Sequence, residues 1–352
     1  MSRYWSPFIR ALTPYVPGEQ PVNSGLVKLN TNENPYAPSP KVLKAVRSHA
    51  DETLRLYPDP EMKALKEAIA AYYGLASSQV FVGNGSDEIL GLAFLTFFKQ
   101  TRPILFPDIT YSFYRVYCDI FQIKATQIPL SKTFDIQLVD YQIPNGGIIF
   151  PNPNAPTGKL LPLSAIKMLV QKNSASVVII DEAYIDFGGE SAVSLIQAFP
   201  NILVVQTLSK SRSLAGLRVG MAMGHADLIQ GLDRSKNSFN SYPLDRLAAV
   251  GAVAAIKDDA YFQDTRHRIM KTRDQTVAKL KTMGFEISAS AANFIFIRHK
   301  QVDAGTLFNR LRDKGILVRY FDKPRINDYL RVTIGTSTDM EAFFAALEQI
   351  LP

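Results

Sequence analysis

Short apolar runs recur between residues 78 and 224, each closed by polar or Gly/Pro-rich residues. Val80-Phe-Val82, Pro103-Ile-Leu-Phe106, Gly147-Ile-Ile-Phe150, Val177-Val-Ile-Ile180 and Ile202-Leu-Val-Val205 are apolar throughout rather than alternating. A strand of that kind is buried on both faces, which predicts an α/β fold with a largely parallel sheet flanked by helices. The intervening segments supply helices, from Ser86 to about Phe98 and from about Tyr111 to Phe121. Arg218-Val-Gly-Met-Ala-Met-Gly224 reads as one more strand. It follows Val205 too closely for a helical crossover, so it is expected to run antiparallel and to make the sheet mixed. A long helical region from about Asp245 to Met283 comes next. Phe294-Ile-Phe-Ile297 and Leu330-Arg-Val-Thr-Ile334 are then expected as strands of a smaller α/β C-terminal domain. The first 30 residues, rich in Pro and Gly, read as an arm rather than a core element. The expected division is an arm over 1–30, a large domain over 31–240 and a small one over 241–352 that packs with the arm. No internal repeat or low-complexity tract stands out.

Composition narrows this picture modestly. At 352 residues the chain exceeds one average domain, and 47% hydrophobic with 20% charged residues is an ordinary globular mix. The start, Met1-Ser-Arg-Tyr-Trp-Ser-Pro7, has no apolar core of signal-peptide length, and the apolar stretch from Ala248 to Ile256 is too short to span a bilayer. One cysteine, Cys118, excludes an internal disulfide and any multi-cysteine zinc site. The expected compartment is the cytoplasm. The net charge of +7 is spread along the chain without a basic stripe, which favours anionic metabolites over nucleic acid. His49, His225, His267 and His299 fall in no metal-ligand spacing.

The chemistry concentrates in Thr207-Leu-Ser-Lys-Ser-Arg-Ser-Leu-Ala-Gly-Leu-Arg218. Lys210 sits just past the end of a buried strand, where desolvating an ammonium is costly. A desolvated lysine beside other cations has a lowered pKa and can form a Schiff base with a carbonyl. Ser209 and Arg218 beside it suit a phosphate dianion. Asp181 ends the run at Val177 and so lies at the carboxyl edge of the sheet, where open α/β folds bind ligands. Its carboxylate needs a cationic or N–H partner, such as a protonated pyridine nitrogen; the alternative is a helix cap or loop ion pair. Tyr184 is placed to donate to an oxygen on the same ring, or else packs in the core. Gly83-Asn-Gly-Ser-Asp-Glu88 joins a strand to a helix, with Ser86 as the expected N-cap and glycines admitting a phosphate to the helix start. It matches neither standard Gly-rich phosphate motif, so an ordinary capped helix is its plain alternative. Asn152-Pro-Asn-Ala-Pro-Thr-Gly158 places asparagines at the same edge, suited to a ring oxygen or to an Asx turn. Tyr111 either stacks on a planar ring or packs.

Together these positions resemble the fold-type-I pyridoxal-phosphate aminotransferases, class-II subgroup. The resemblance runs from Leu12-Thr-Pro-Tyr15 through Leu29-Asn-Thr-Asn-Glu-Asn-Pro35, Leu56-Tyr-Pro58 and the lysine block to Leu330-Arg-Val-Thr-Ile-Gly335. It implies that Lys210 forms the Schiff base with pyridoxal 5'-phosphate and later shuttles a proton. Asp181 would pair with the pyridine nitrogen, Tyr184 contact the ring oxygen and Tyr111 stack on the ring. Gly85, Ser86, Asp87, Ser209 and Arg218 match phosphate ligands. Tyr57 matches a tyrosine that reaches the phosphate from a partner subunit, which implies a homodimer with shared active sites. Arg331 and Arg319 match substrate arginines, and Tyr15 and Asn32 lie where the family folds its arm over the substrate. The family commonly has Asn directly before Pro-Thr-Gly. Here that residue is Ala155, and Asn154 is expected to take the ring-oxygen contact. The implied substrates are L-histidinol phosphate and 2-oxoglutarate. The alternatives are an aromatic amino-acid aminotransferase or a phosphothreonine-type decarboxylase of the same fold. A non-enzymatic basic interaction protein fits the intact lysine, aspartate and phosphate-cup set poorly.

Overall fold

The computed structural model describes residues 3–20 and 25–351. Eight strands come first: β1 (Val27–Lys28), β2 (Val80–Asn84), β3 (Ile104–Pro107), β4 (Ala125–Ile128), β5 (Ile148–Pro151), β6 (Val178–Asp181), β7 (Ile202–Thr207) and β8 (Val219–Gly224). The last seven of these form one sheet in the order β2-β8-β7-β6-β5-β3-β4. Every pairing is parallel except those of β8, which is antiparallel to both β7 and β2. The β7–β8 connection carries Lys210 and holds only a single short helical turn, Ala215–Leu217.

Although the strands are apolar throughout, their side chains still alternate between two cores. Val80, Val82, Ile148, Phe150, Val178, Ile180 and Val204 join a cluster with residues of helices Pro40–Ser48, Lys63–Tyr73, Leu163–Lys172 and Arg246–Lys257. Phe81, Ile149, Ile179, Leu203 and Val205 join the opposite cluster with helices Gly85–Ala93, Phe113–Phe121 and Ala226–Asn237. Burial on both faces is what removes the polar alternation that a one-sided sheet shows. β4 is the exception: an edge strand with exposed Thr126 and Gln127, and no uniform apolar run marks it.

The remaining strands are β9 (Phe285–Ser288), β10 (Phe294–His299), β11 (Ile316–Leu317), β12 (Arg319–Tyr320) and β13 (Leu330–Thr333). Four of them make an antiparallel sheet, β12-β13-β10-β9, while β11 pairs in parallel with β1. The helical region expected from Asp245 to Met283 is two helices, Arg246–Lys257 and Asp259–Thr282, broken at buried Asp258. That carboxylate accepts from Lys41 Nζ at 2.6 Å and from Ser39 Oγ, tying the break to the N-terminal part of the chain.

One expectation needs correction. Val27–Leu29 is not arm: Leu29 is 1% exposed and packs with Phe343, Val332 and Ile334 in the C-terminal core. The Leu29 N–H donates to Leu317 O at 2.8 Å, extending the β1–β11 pairing. Proline and glycine nearby obscured a two-residue strand too short to show periodicity.

Candidate active site

Strand register brings the site together. Pro151 pairs with Asp181 and Asp181 with Val205, so β5 and β6 end level at one sheet edge and β7 runs two residues further, to Thr207. From that edge rise the Asn152–Gly158 turn, Asp181 and the lysine loop, and β2 delivers the start of helix Gly85–Ala93 beside them.

At the helix start the structure departs from expectation. Ser86 is not the N-cap; the helix begins at Gly85, and Asn84 in the cap position makes no side-chain bond to it. Glu88 instead accepts the Asn84 N–H at 2.6 Å. The first-turn N–H groups therefore have no side-chain cap, as an anion site requires. Gly85 holds φ +78°, and a Cβ there would lie 2.6 Å from Arg218 Nη2. Gly220 is equally constrained, since a Cβ on it would meet the Gly85–Ser86 peptide at 2.5 Å. Arg218, itself at φ +54°, donates to Asp87 Oδ2 at 3.3 Å, and Tyr111 donates to Asp87 Oδ1 at 2.9 Å. Buried Ser209 Oγ accepts from Thr207 Oγ1 at 3.0 Å. Gly85, Asp87, Tyr111 and Arg218 meet at this turn, and Gly220, which packs on the Gly85–Ser86 peptide, pairs with Thr207 two residues before Ser209.

Lys210 Nζ donates to Thr31 O at 3.1 Å and lies 5.9 Å from the centre of the Tyr184 ring. Burial pulls its pKa down to about 8, and Arg331 pushes the same way while Glu33 and Asp87 oppose. Asn34 Nδ2 clamps the loop by donating to the Lys210 and Ser211 carbonyls, both at 3.1 Å. Asp181 is 4% exposed, and burial raises its pKa to about 6. It accepts from Tyr114 Oη at 2.8 Å and from the Ala183 N–H at 3.3 Å, and among the described residues it has no cationic partner. Tyr184 accepts from Asn32 Nδ2 at 2.9 Å.

Asn154 is buried and spends Nδ2 on Ile109 O (3.0 Å) and Thr157 Oγ1 (2.9 Å), leaving Oδ1 buried without a partner. Ala155 packs with Phe294 and Tyr184, so the site's wall at that position is apolar. A buried carboxylate without a cation, an unpaired buried amide oxygen and an uncapped helix start beside Arg218 are the complement of an anionic ligand bearing a cationic ring.

Arg331 lies on β13 directly opposite Arg319 on β12. Like charges so paired repel each other, and an anion between them relieves this. Arg331 Nη2 donates to Asn30 O at 2.7 Å, while its Nε is buried and unpaired. Burial lowers its pKa. Arg319 donates to Val16 O at 3.3 Å, and Tyr15 packs its ring 5.0 Å from Phe113 and edge-on to Tyr111, so the arm closes over this side. Tyr57 stands apart: it is 80% exposed, stacks on Tyr242, and holds Arg246 through its carbonyl.

Sequence reasoning missed Tyr114, the donor to Asp181, which lies three residues past Tyr111 in the first turn of helix Phe113–Phe121. It also missed Thr333 and Asn293, which hold Asn32 from the far end of the chain, and Thr31, which receives Lys210. Local pattern carries no signal for such distant pairs. Among the described residues no cluster of His, Cys, Asp and Glu forms a metal site, and no helix is long and apolar enough to cross a membrane.

Comparison with known proteins identifies the family. Residues 24–347 match the family model for aminotransferase class I and II. Histidinol-phosphate aminotransferase 1 of Hydrogenovibrio crunogenus is 60% identical over 351 residues, covering 100% of this chain and 99% of the relative. A histidinol-phosphate aminotransferase of Pseudomonas putida is 58% identical over 347 residues, covering 99% and 100%. The solved histidinol-phosphate aminotransferase of Sinorhizobium meliloti, in complex with pyridoxal-5'-phosphate, superimposes with a TM-score of 0.90 at 23% identity, covering 99% of this chain and 98% of that one; this likeness shows the fold.

Proposed function

The chain belongs to the class I and II aminotransferase family, and from that premise we propose that it transfers an amino group between L-histidinol phosphate and 2-oxoglutarate, giving imidazole acetol phosphate and glutamate in histidine biosynthesis. The observation that carries the substrate assignment is identity of 55% to 60% along the whole chain with relatives named for that reaction. The aromatic-aminotransferase and phosphothreonine-decarboxylase alternatives are not favoured by it.

The residues present fit pyridoxal 5'-phosphate, the family's cofactor. Gly85, Ser86, Asp87, Ser209 and Arg218 would hold its phosphate, Asp181 its ring nitrogen, Tyr184 its ring oxygen and Tyr111 its ring face; Asn154, expected from sequence at the ring oxygen, has both N–H groups spent on Ile109 O and Thr157 Oγ1 and offers an anionic oxygen only an acceptor. When bound, the cofactor supplies a carbonyl that takes up the amino group and a conjugated ring that withdraws electrons from the substrate's α-carbon. Asp181 keeps a negative charge buried at low dielectric, which holds a ring nitrogen protonated. Lys210, with a pKa lowered to about 8 by burial, is a readier nucleophile and proton carrier near neutrality than an ordinary lysine. Arg331 and Arg319 offer paired forks that suit a phosphate or a carboxylate, which accounts for one site taking both substrates in turn. Tyr15 and Asn32 complete the substrate side. Exposed Tyr57 and Tyr242 suit a homodimer in which Tyr57 reaches the phosphate site of the second subunit, and the cytoplasm is the proposed compartment.

The test is to incubate the purified protein with L-histidinol phosphate and 2-oxoglutarate and to measure glutamate. Release of carbon dioxide instead, or preference for phenylalanine over histidinol phosphate, refutes the reading.

A further inference from the structure

The hydrogen bonds around Asn32 favour one direction. Thr333 Oγ1 accepts the Asn32 backbone N–H at 3.0 Å, so its own proton is free, and it donates that proton to Asn32 Oδ1 at 3.1 Å. Turned the other way, the amide would give an N–H to Thr333 and leave the buried Thr333 proton with no acceptor among the described residues, so the nitrogen end is the one 2.9 Å from the Tyr184 hydroxyl. An amide nitrogen donates and does not accept. The Tyr184 oxygen therefore receives a proton from Asn32 and keeps its own to give elsewhere. Asn293 steadies the arrangement by donating from Nδ2 to Asn32 O at 3.0 Å. Asn32, Asn293 and Thr333 are all buried, which shields these bonds from bulk solvent. Asn32 holds φ +58°, a conformation that asparagine tolerates better than most residues.

We propose that Thr333 is a positioning residue that acts through Asn32 to commit the Tyr184 hydroxyl to donating its proton into the site, onto the anionic ring oxygen of the cofactor. This rests on the function proposed above. Burial raises the Tyr184 pKa, Arg331 and the Asn32 bond oppose that shift, and Asp181 and Asp87 reinforce it. The phenol is thus protonated and available as a donor at neutral pH. The Lys210 ammonium, 5.9 Å from the ring centre, is the remaining charge close to it. Donation to an aromatic oxyanion stabilises the anion and lowers the proton affinity of a nitrogen conjugated with it. With the cofactor held on Lys210, the nitrogen joining them would be such a group, and its titration would be read in the visible absorption.

The experiment titrates the visible absorption of the holoenzyme with pH in wild type, Tyr184→Phe, Thr333→Val, Thr333→Ser and Asn32→Asp. Tyr184→Phe removes the donor and should raise the band's pKa by roughly one unit. Thr333→Val, which deletes the hydroxyl at constant shape, should reproduce part of that rise, and Thr333→Ser should restore the wild-type value. Asn32→Asp keeps the acceptor for Thr333 but turns an acceptor toward Tyr184, drawing the phenol proton away from the site; its shift should match Tyr184→Phe or exceed it. A purely structural role for Thr333 predicts lower melting temperatures with no change in the band's pKa. The inference is overturned if Tyr184→Phe shifts the band while Thr333→Val titrates like wild type, whatever Asn32→Asp does. Should Thr333→Val not fold, Thr333→Ala decides by the same criterion. A wild-type protein that binds no visibly absorbing cofactor on Lys210 overturns the proposed function and this inference with it.

Discussion

Replacing Asp181 by Asn should stabilise the cofactor-free protein while abolishing its turnover. The carboxyl is 4% exposed, and burial raises its pKa from 3.8 to about 6. A raised carboxyl pKa means that the folded state binds the proton more tightly than the unfolded chain does. The folded state therefore carries no penalty from this group below about pH 4, accumulates one as pH rises toward 6, and bears all of it above. The difference, 6 minus 3.8, is about 2 units, or about 3 kcal/mol at about 1.4 kcal/mol per unit. An amide in this place would remove the charge but supply one acceptor where the carboxylate supplies two, to Tyr114 and Ala183. Losing one such bond costs about 1 kcal/mol, leaving a net gain of about 2 kcal/mol at pH 8. Urea or thermal unfolding of the cofactor-free proteins at pH 8 and pH 4 checks this. The Asp181→Asn variant should be the more stable at pH 8, and the gap should close or invert at pH 4. With cofactor bound the order should reverse, because a cationic ring nitrogen stabilises the carboxylate and not the amide. Equal stabilities at pH 8, or a gap independent of pH, refute the buried-charge argument.

Three further outcomes follow from the same geometry. Borohydride should fix the cofactor on Lys210, and in the cofactor-free protein an amine-specific reagent should label Lys210 with a midpoint near pH 8; a peptide map showing the adduct on another lysine would refute the assignment. Arg331→Lys should cut kcat/KM for histidinol phosphate by roughly tenfold to a hundredfold, since a charge-assisted contact contributes about 1.5–3 kcal/mol and an ammonium lacks the planar fork; unphosphorylated histidinol should lose far less. Gly85→Ala should weaken cofactor binding by roughly tenfold, because φ +78° costs an L side chain roughly 1–2 kcal/mol and the new Cβ crowds Arg218; an unchanged Kd in a fluorescence titration would show that the cup tolerates the methyl.

The sheet was legible because burial on both faces leaves uninterrupted apolar runs. The lone antiparallel strand was legible because the segment between Thr207 and Val219 leaves no room for a crossover helix. β4 escaped because a short edge strand with exposed residues has neither signal. Lys210 and Asp181 stood out as charged residues costly to bury at a strand end, and the Gly85 turn as glycines between a strand and a helix. Ser86 misled because serine before an apolar helix is usually a cap, whereas here a glycine in the left-handed region sets the turn one residue earlier. The Arg319–Arg331 pairing depends on strand register in the second sheet, which no local pattern encodes. Tyr57 has its expected role only opposite a second copy of the chain.

The bonds from Asn32 to Thr333 span 301 positions, and those from Leu29 to the β11 segment nearly as many. This gives the chain a definite order of assembly during synthesis. All seven strands of the large sheet, Lys210 included, leave the ribosome before β9 exists. The N-terminal strand β1 must meanwhile wait for a partner made near the end of translation. The cofactor side of the site can thus form early, while the wall bearing Asn32, Tyr184's partner, closes only when residues 330–333 arrive. A premature stop shortly before Leu330 would therefore damage the pocket at its N-terminal wall, far along the sequence from the lesion itself.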